Sequence, residues 1–254
     1  MAGRAPPLPP GLARGRIAHR ALHGPGRPEN SRAAIRAAMA RGLACELDLQ
    51  LSADGVAMVF HDDALDRLTG EAGPVRARGA AELGRIPLLG GQEGVPTLRE
   101  VLALVAGAVP LLLEIKDQDG AMGPDVGPLE RAVAADLAGH AGAVAVMSFN
   151  PHSVAAFGRA APGVPRGLVT AAFGAGEWPD LPAATRDRLR RMADLEEAGA
   201  SFVSHEAAAL GMAEVARARA AGLGVLCWTV RSAKAEREAL RVADAVTFEG
   251  YLPG

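Results

Sequence analysis

Apolar residues in this chain fall into short runs separated by longer amphipathic stretches. The runs at 16–20, 44–49, 111–116, 144–149, 166–170, 202–205, 225–230 and 245–248 are short, apolar and bounded by turn residues, and they predict strands. Between them, helical spacing covers 31–41, 97–106, 128–138, 151–159, 185–198, 209–221 and 232–241. Asn30 or Ser31 is placed to cap the first of these. Thr97 and Glu100 form a Thr-x-x-Glu capping box at the start of the second. Gly222 follows the helix ending at 221 as a C′ residue.

Eight strands alternating with helices in 254 residues predict an α/β chain folded as one (β/α)8 TIM barrel, a single domain over 1–254. An open doubly wound sheet is the alternative. The lack of a glycine-rich nucleotide turn after the first strand counts against it. One stretch, 50–96, breaks the alternation: a second apolar run at 56–60 is followed by polar, glycine-rich sequence. A connection this long marks a functional insertion, and we expect a small subdomain after strand 2 that caps the barrel mouth. The first fifteen residues are rich in Arg, Pro and Gly and have no apolar h-region. They predict a flexible leader rather than a signal peptide.

Composition narrows the function. The chain is 49% hydrophobic and 22% charged with a net charge of -2. Its basic residues are scattered and aromatics make up only 4%, which argues against nucleic acid as a partner. No run reaches the length of a membrane span, so no stable membrane association is expected. Cys45 and Cys227 lack metal-type spacing and read as reduced, semi-buried strand residues of a cytoplasmic protein. Arginine serves almost everywhere a cation is needed, with lysine only at 116 and 234. Lys116 thus hints at a need for a compact ammonium.

Candidate chemistry gathers at the C-terminal ends of the first three barrel strands, the face where a barrel carries its site. His19-Arg20, Glu46-Leu47-Asp48 and Glu114-Ile115-Lys116 all lie there. Ionisable groups at the end of a buried strand are costly unless they bind something. Residues two apart share a strand face, so Glu46 and Asp48 point together, as do Glu114 and Lys116. Taken singly, each carboxylate reads as a strand-end salt bridge to Arg20 or Lys116; on three neighbouring strands, the set favours a site. Three carboxylates make a hard oxygen site for one divalent ion, Mg²⁺ or Ca²⁺ rather than zinc. A hairpin looping through 52–55 would pair residue 51 with 56 and so place His61 opposite Glu46. Two imidazoles, His19 and His61, flanking an anion suggest general acid–base catalysis.

These residues occur in an order that resembles the glycerophosphodiester phosphodiesterase family. The likeness runs through His19-Arg20, Pro28-Glu29-Asn30-Ser31, Glu46-Leu47-Asp48, Ser52-Ala53-Asp54-Gly55, Val59-Phe60-His61-Asp62, Leu65-Asp66-Arg67-Leu68-Thr69 and Leu113-Glu114-Ile115-Lys116. It continues more weakly through Ser148-Phe149 and Trp228-Thr229-Val230. The resemblance implies a barrel with an insertion after strand 2 and metal ligation by Glu46, Asp48 and Glu114. It implies catalysis by His19 and His61, and phosphate contacts from Arg20 and Lys116. The implied reaction is hydrolysis of small-molecule glycerophosphodiesters to sn-glycerol 3-phosphate and an alcohol. Glu29 is a candidate to orient Arg20, and Phe149 and Trp228 are candidate substrate contacts. His23, His140, His152 and His205 fit no pattern and read as structural or exposed. The chain departs from the family pattern at Ala21, in the extended loop 22–27, at Arg231 and over 247–253. These departures bear on the choice of alcohol rather than on the reaction. Three rival functions are a lysophospholipase D-like activity on the same barrel, a non-catalytic phosphate-binding barrel, and a metal-dependent lyase or isomerase, whose enolate chemistry the His-Arg and Glu-Ile-Lys pairs fit less well than phosphate. The oligomeric state is not encoded in any of these features.

Overall fold

The computed structural model describes residues 3–253. Its nine strands form one sheet, β1 (Arg16–Ala18), β2 (Ala44–Leu51), β3 (Ala57–Val59), β4 (Leu111–Ile115), β5 (Val144–Ser148), β6 (Arg166–Thr170), β7 (Phe202–Glu206), β8 (Gly224–Val230) and β9 (Ala245–Phe248). The spatial order is β1-β9-β8-β7-β6-β5-β4-β2-β3, and a β1–β2 pairing closes the ring. All pairings are parallel except β2–β3. The protein is therefore a closed TIM barrel of eight parallel strands, with β3 as an antiparallel appendage.

Helices α1 (Pro10–Ala13), α2 (Arg32–Met39), α3 (Ala80–Leu83), α4 (Leu98–Val105), α5 (Pro128–Leu137), α6 (Pro151–Ala160), α7 (Ala183–Arg190), α8 (Ala213–Ala220) and α9 (Ala233–Ala239) complete the chain. The Ser31 side chain accepts from Ala34 N at the start of α2, and the Thr97–Glu100 capping box is complete. Gly222 takes φ +78° behind α8, as a C′ glycine should. Two helices are shorter than the periodicity predicts. The 209–221 stretch opens as a 3₁₀ turn and becomes α-helical only at Ala213, beyond Gly211. The 185–198 stretch begins earlier, at Ala183, and stops at Arg190; Met192 at φ +53° then prevents continuation.

Strand alternation sorts the core. Cys45, Leu47, Leu49, Leu111, Leu113 and Ile115 face outward to pack beneath the helices. Ile17, Ala44, Leu112, Ala145, Phe202, Leu226 and Ala245 point inward and fill the lower barrel. The next inward positions toward the C-terminal ends are His19, Glu46, Glu114, Met147, Val169 and Thr247, so polarity rises up the barrel. Cys45 and Cys227 are fully buried rather than semi-buried, and burial pushes both thiols up to about 12.

The leader departs from the loosely packed start expected for 1–15. Leu12 is completely buried and, with Leu8, joins the cluster that fills the barrel interior. Ala5 N donates to Gly199 O, and Val246 N donates to Gly15 O. A Cβ on Gly11 would lie 2.5 Å from Pro110, which explains a glycine there. Polar composition disguised a segment whose few leucines seal the N-terminal end of the barrel.

The insertion lacks a helix of ordinary length: its helical content is a 3₁₀ turn (Val75–Ala77) and the four-residue α3. It has its own core of Met58, Phe60, Leu65, Val75, Leu83, Ile86, Leu88 and Val95.

Candidate active site

The parallel register sets Asp48 beside Glu114, with Glu46 two residues earlier on the same face of β2. One ligand atom from each carboxylate lies within 4.8 Å of the others, and all three residues are buried. Lys116, just past β4, spans two of them: Nζ is 2.7 Å from Asp48 and 2.5 Å from Glu114. Arg20 Nε is 3.6 Å from Asp48, and Asn30 Nδ2 donates to Asp48 Oδ2 at 2.9 Å. The strand-end salt bridges weighed from sequence therefore exist, within a cluster rather than in place of one.

The carboxylates are not equivalent. Burial, then the nearby charges of Asp48 and Glu114, push Glu46 well above the usual carboxylate range. Burial works to raise Asp48 as well, but Lys116, His61 and Arg20 outweigh it and hold Asp48 below that range. Burial would lower Lys116, yet Asp48 and Glu114 hold its ammonium above the ordinary lysine value. Glu46 accepts Arg20 N through Oε2 at 2.9 Å, while its buried Oε1 has no partner. An orphaned carboxylate oxygen beside two further carboxylates fits a hard divalent cation, which would satisfy the acceptor and relieve the repulsion.

His61 reaches the site by a different route from the one predicted. The hairpin pairs Leu51 with Ala57 rather than with 56, so His61 is not opposite Glu46. β3 ends at Val59, Phe60 N makes a last bond to Asp48 O, and the bend that follows returns the His61 ring to the cavity that Glu46 also lines. Here the missing periodicity is local: once the strand ends, alternation no longer dictates the face. His61 Nδ1 is 2.6 Å from Asp62 Oδ1, and Arg67 holds both Asp62 and Glu29. Burial and then Lys116 lower the His61 pKa, opposed by Asp48 and Asp62.

Glu29 does pair with Arg20, at 2.8 Å. Arg20 and Ala21 adopt φ 51° and 63°, a left-handed turn that favours glycine and that Ala21 occupies at a cost. The cavity, about 170 Å³, is lined by His19, Arg20, Glu46, His61, Glu114 and Lys116 on one side. Phe149 and Trp228 face them, packed edge to face at 5.5 Å, and Trp228 Nε1 donates to Ser204 O.

Sequence reasoning missed Glu249, Asp62 and Arg67 as members of the site. Glu249 Oε2 lies 2.6 Å from His19 Nδ1, and Oε1 lies 2.7 Å from Arg231. That hydrogen bond from His19 holds Glu249 down at about 2, against its burial. The signal was present: Ala245 and Thr247 form the inward row of β9, Glu249 follows two residues further on, just past the strand end, and closure of the barrel sets β9 beside β1. His23, read as structural or exposed, is half-buried with Nε2 3.7 Å from Glu249. His205 is structural, its ring held between Thr170 and the Ala209 carbonyl.

A TIM barrel with a buried acidic cluster, two cavity histidines and an arginine–lysine pair at its C-terminal mouth defines a hydrolase of phosphoric diesters. The sequence profile of the glycerophosphoryl diester phosphodiesterase family matches residues 19–248, and the chain belongs to that family. A Bacillus subtilis (strain 168) protein, YhdW, named as a candidate glycerophosphodiester phosphodiesterase, is 28% identical over 243 residues, covering 91% of this chain and 93% of its own. An Oleispira antarctica phosphodiesterase, solved in complex with the product sn-glycerol 3-phosphate, superposes with a TM-score of 0.74 at 27% identity, covering 93% of each chain. A Thermotoga maritima glycerophosphodiester phosphodiesterase shares the fold, with a TM-score of 0.70 at 21% identity, covering 92% of this chain and 94% of that one.

Proposed function

We propose that the protein hydrolyses glycerophosphodiesters to sn-glycerol 3-phosphate and an alcohol, with His19 and His61 as the acid–base pair. The observation that carries this reading is the buried triad of Glu46, Asp48 and Glu114 with an orphaned oxygen, in one cavity with both histidines, Arg20 and Lys116. The three carboxylates would hold Mg²⁺ or Ca²⁺, which supplies positive charge to a phosphate oxygen and to the charge growing on it. Arg20 and Lys116 add to that positive field on the cavity wall, which favours the anionic diester and its transition state. Glu29 fixes the Arg20 guanidinium, and Arg67 in turn fixes Glu29. One imidazole removes the proton of the attacking hydroxyl, from water or from the neighbouring glycerol carbon. The other protonates the leaving alkoxide. Glu249 and Asp62 each engage one Nδ1, which leaves both Nε2 atoms for these transfers. Phe149 and Trp228 offer the apolar surface for the glycerol carbons.

Among the described residues no helix is long and apolar enough to cross a membrane. We set the reaction in the cytoplasm, a reading supported by two free, buried cysteines.

The test is release of glycerol 3-phosphate from a panel of glycerophosphodiesters with Mg²⁺, with Ca²⁺ and with chelator. Metal-dependent release is expected. Activity on lysophosphatidylcholine alone would move the substrate to lysophospholipids, and inactivity on every substrate would leave a phosphate-binding barrel.

A further inference from the structure

A second cavity, about 330 Å³, opens beside the catalytic one. The loop after β1 forms one wall, from Ala21 to Arg27; the chain from Glu249 to Leu252 forms the other; Arg41 lies at its rim. Glu249 and His23 divide the two spaces. Glu249 Oε2 is 2.6 Å from His19 Nδ1, which belongs to the catalytic cavity, and 3.7 Å from His23 Nε2, which lines the second. The stretches that depart from the family pattern in sequence, Ala21 to Arg27 and the chain after Thr247, converge on this one space.

We propose that this cavity receives the alcohol half of the substrate and selects alcohols that carry an anionic group, a carboxylate or a second phosphate. The inference rests on the reading of the catalytic cavity as a glycerophosphodiesterase. Its charge pattern supplies the argument. The basic and acidic groups on its walls are His23, Arg27, Arg41 and Glu249, and the Tyr251 hydroxyl is taken up by Glu236. Glu249 is already matched, by His19 at 2.6 Å and Arg231 at 2.7 Å. The Arg27 side chain donates only to the Leu22 carbonyl, and neither Arg27 nor Arg41 has a carboxylate within 4.0 Å among the described residues. On α2, the helix just before Arg41, the two arginines are paired by contrast: Arg36 with Glu93 and Arg32 with Glu100, both at 2.8 Å. His23 Nε2 is buried without a hydrogen-bond partner. Two unmatched guanidinium groups and an unsatisfied ring nitrogen around one space suit an anion, since guanidinium binds carboxylate and phosphate with charge-assisted hydrogen bonds. The smaller catalytic cavity, with Phe149 and Trp228, suits the constant glycerol half; the larger one suits the variable half.

The experiment uses two matched substrate pairs with the full chain and its metal. Glycerophosphoserine and glycerophosphoethanolamine differ by a carboxylate. Glycerophosphoglycerol and its terminal phosphate monoester differ by a phosphate. At least one pair is expected to show kcat/KM about tenfold or more higher for the anionic member, roughly what one charge-assisted hydrogen bond supplies. In Arg27→Gln/Arg41→Gln that ratio falls toward one while turnover of the less charged member stays within about twofold. Arg41→Glu, at an exposed position, is expected to lower the ratio without touching the loop. Equal kcat/KM within both pairs, or a preference that survives in the double variant, overturns the inference and leaves the hydrolytic reading intact. Inactivity on all four substrates overturns both.

Discussion

His19 Nδ1 and the Glu249 carboxylate meet at 2.6 Å across the seam where the first barrel strand closes on the last. The contact engages one ring nitrogen of a histidine that lines the cavity, so in the proposed reaction Glu249 is expected to act through His19 as a positioning residue. His19→Ala and His61→Ala are each expected to lower kcat by about 10²–10⁴-fold, the usual contribution of a general acid or base. Glu249→Ala should cost less than His19→Ala, and Glu249→Gln, which keeps an acceptor, less again, with KM little changed. Steady-state kinetics on one substrate ranks the variants. A Glu249→Ala enzyme with full kcat would remove Glu249 from the catalytic apparatus.

Most of the site was readable because alternation along a strand is rigid. Once 44–49 and 111–116 were strands, Glu46, Asp48, Glu114 and Lys116 had to share the interior, and the structure puts them there. His61 shows where that logic ends: β3 stops at Val59, and the residue reaches the cavity through a bend that a hairpin count cannot supply. Glu249 was missed for a different reason. Its partner is 230 residues away, and only closure of the ring makes the last strand a neighbour of the first. The leader was misjudged on composition, because two leucines in a proline- and arginine-rich stretch carry no period yet find the open base of a barrel.

Glu46 exposes a conflict between stability and binding. Its carboxylate is buried, repelled by Asp48 and Glu114, and left with one oxygen unpartnered. A carboxyl whose folded-state pKa is raised destabilises the fold once pH rises above its unfolded value, so at pH 7 the penalty is present. Glu46→Gln should therefore raise the melting temperature of metal-free protein and abolish the metal-induced increase. In the wild type, a divalent ion at about 100 times its Kd adds about 2.7 kcal/mol. For a chain of this size that is a shift of roughly 5–10 °C. Melts in chelator and in excess Mg²⁺ or Ca²⁺ decide the matter. A variant that keeps the full metal-induced shift would show that Glu46 is not a ligand.

Leu12 tests the N-terminal segment. Its side chain is wholly buried in the barrel-interior cluster, so Leu12→Ala should cost about 2–5 kcal/mol by denaturant titration, the range for emptying a filled core position. A loss below about 0.5 kcal/mol, within the range of ordinary surface changes, would restore the picture of a loosely attached leader.

The Glu249 contact also has a pH signature in stability. The hydrogen bond from His19 lowers the Glu249 pKa from 4.5 to about 2; burial opposes this, and the charges of His19 and Arg231 reinforce it. A carboxyl depressed in the folded state adds stability that is fully present above its unfolded value, and that stability drains away as pH falls toward the folded one. Wild type should therefore exceed Glu249→Gln in urea midpoint at pH 6, and the gap should close between about pH 4.5 and pH 2. Solvent reaches part of this carboxylate, so the gap is expected to be small and to shrink in high salt. A gap that stays constant through the acid range would mean that Glu249 stabilises the seam through packing alone, and that its charge contributes nothing to holding His19 in place.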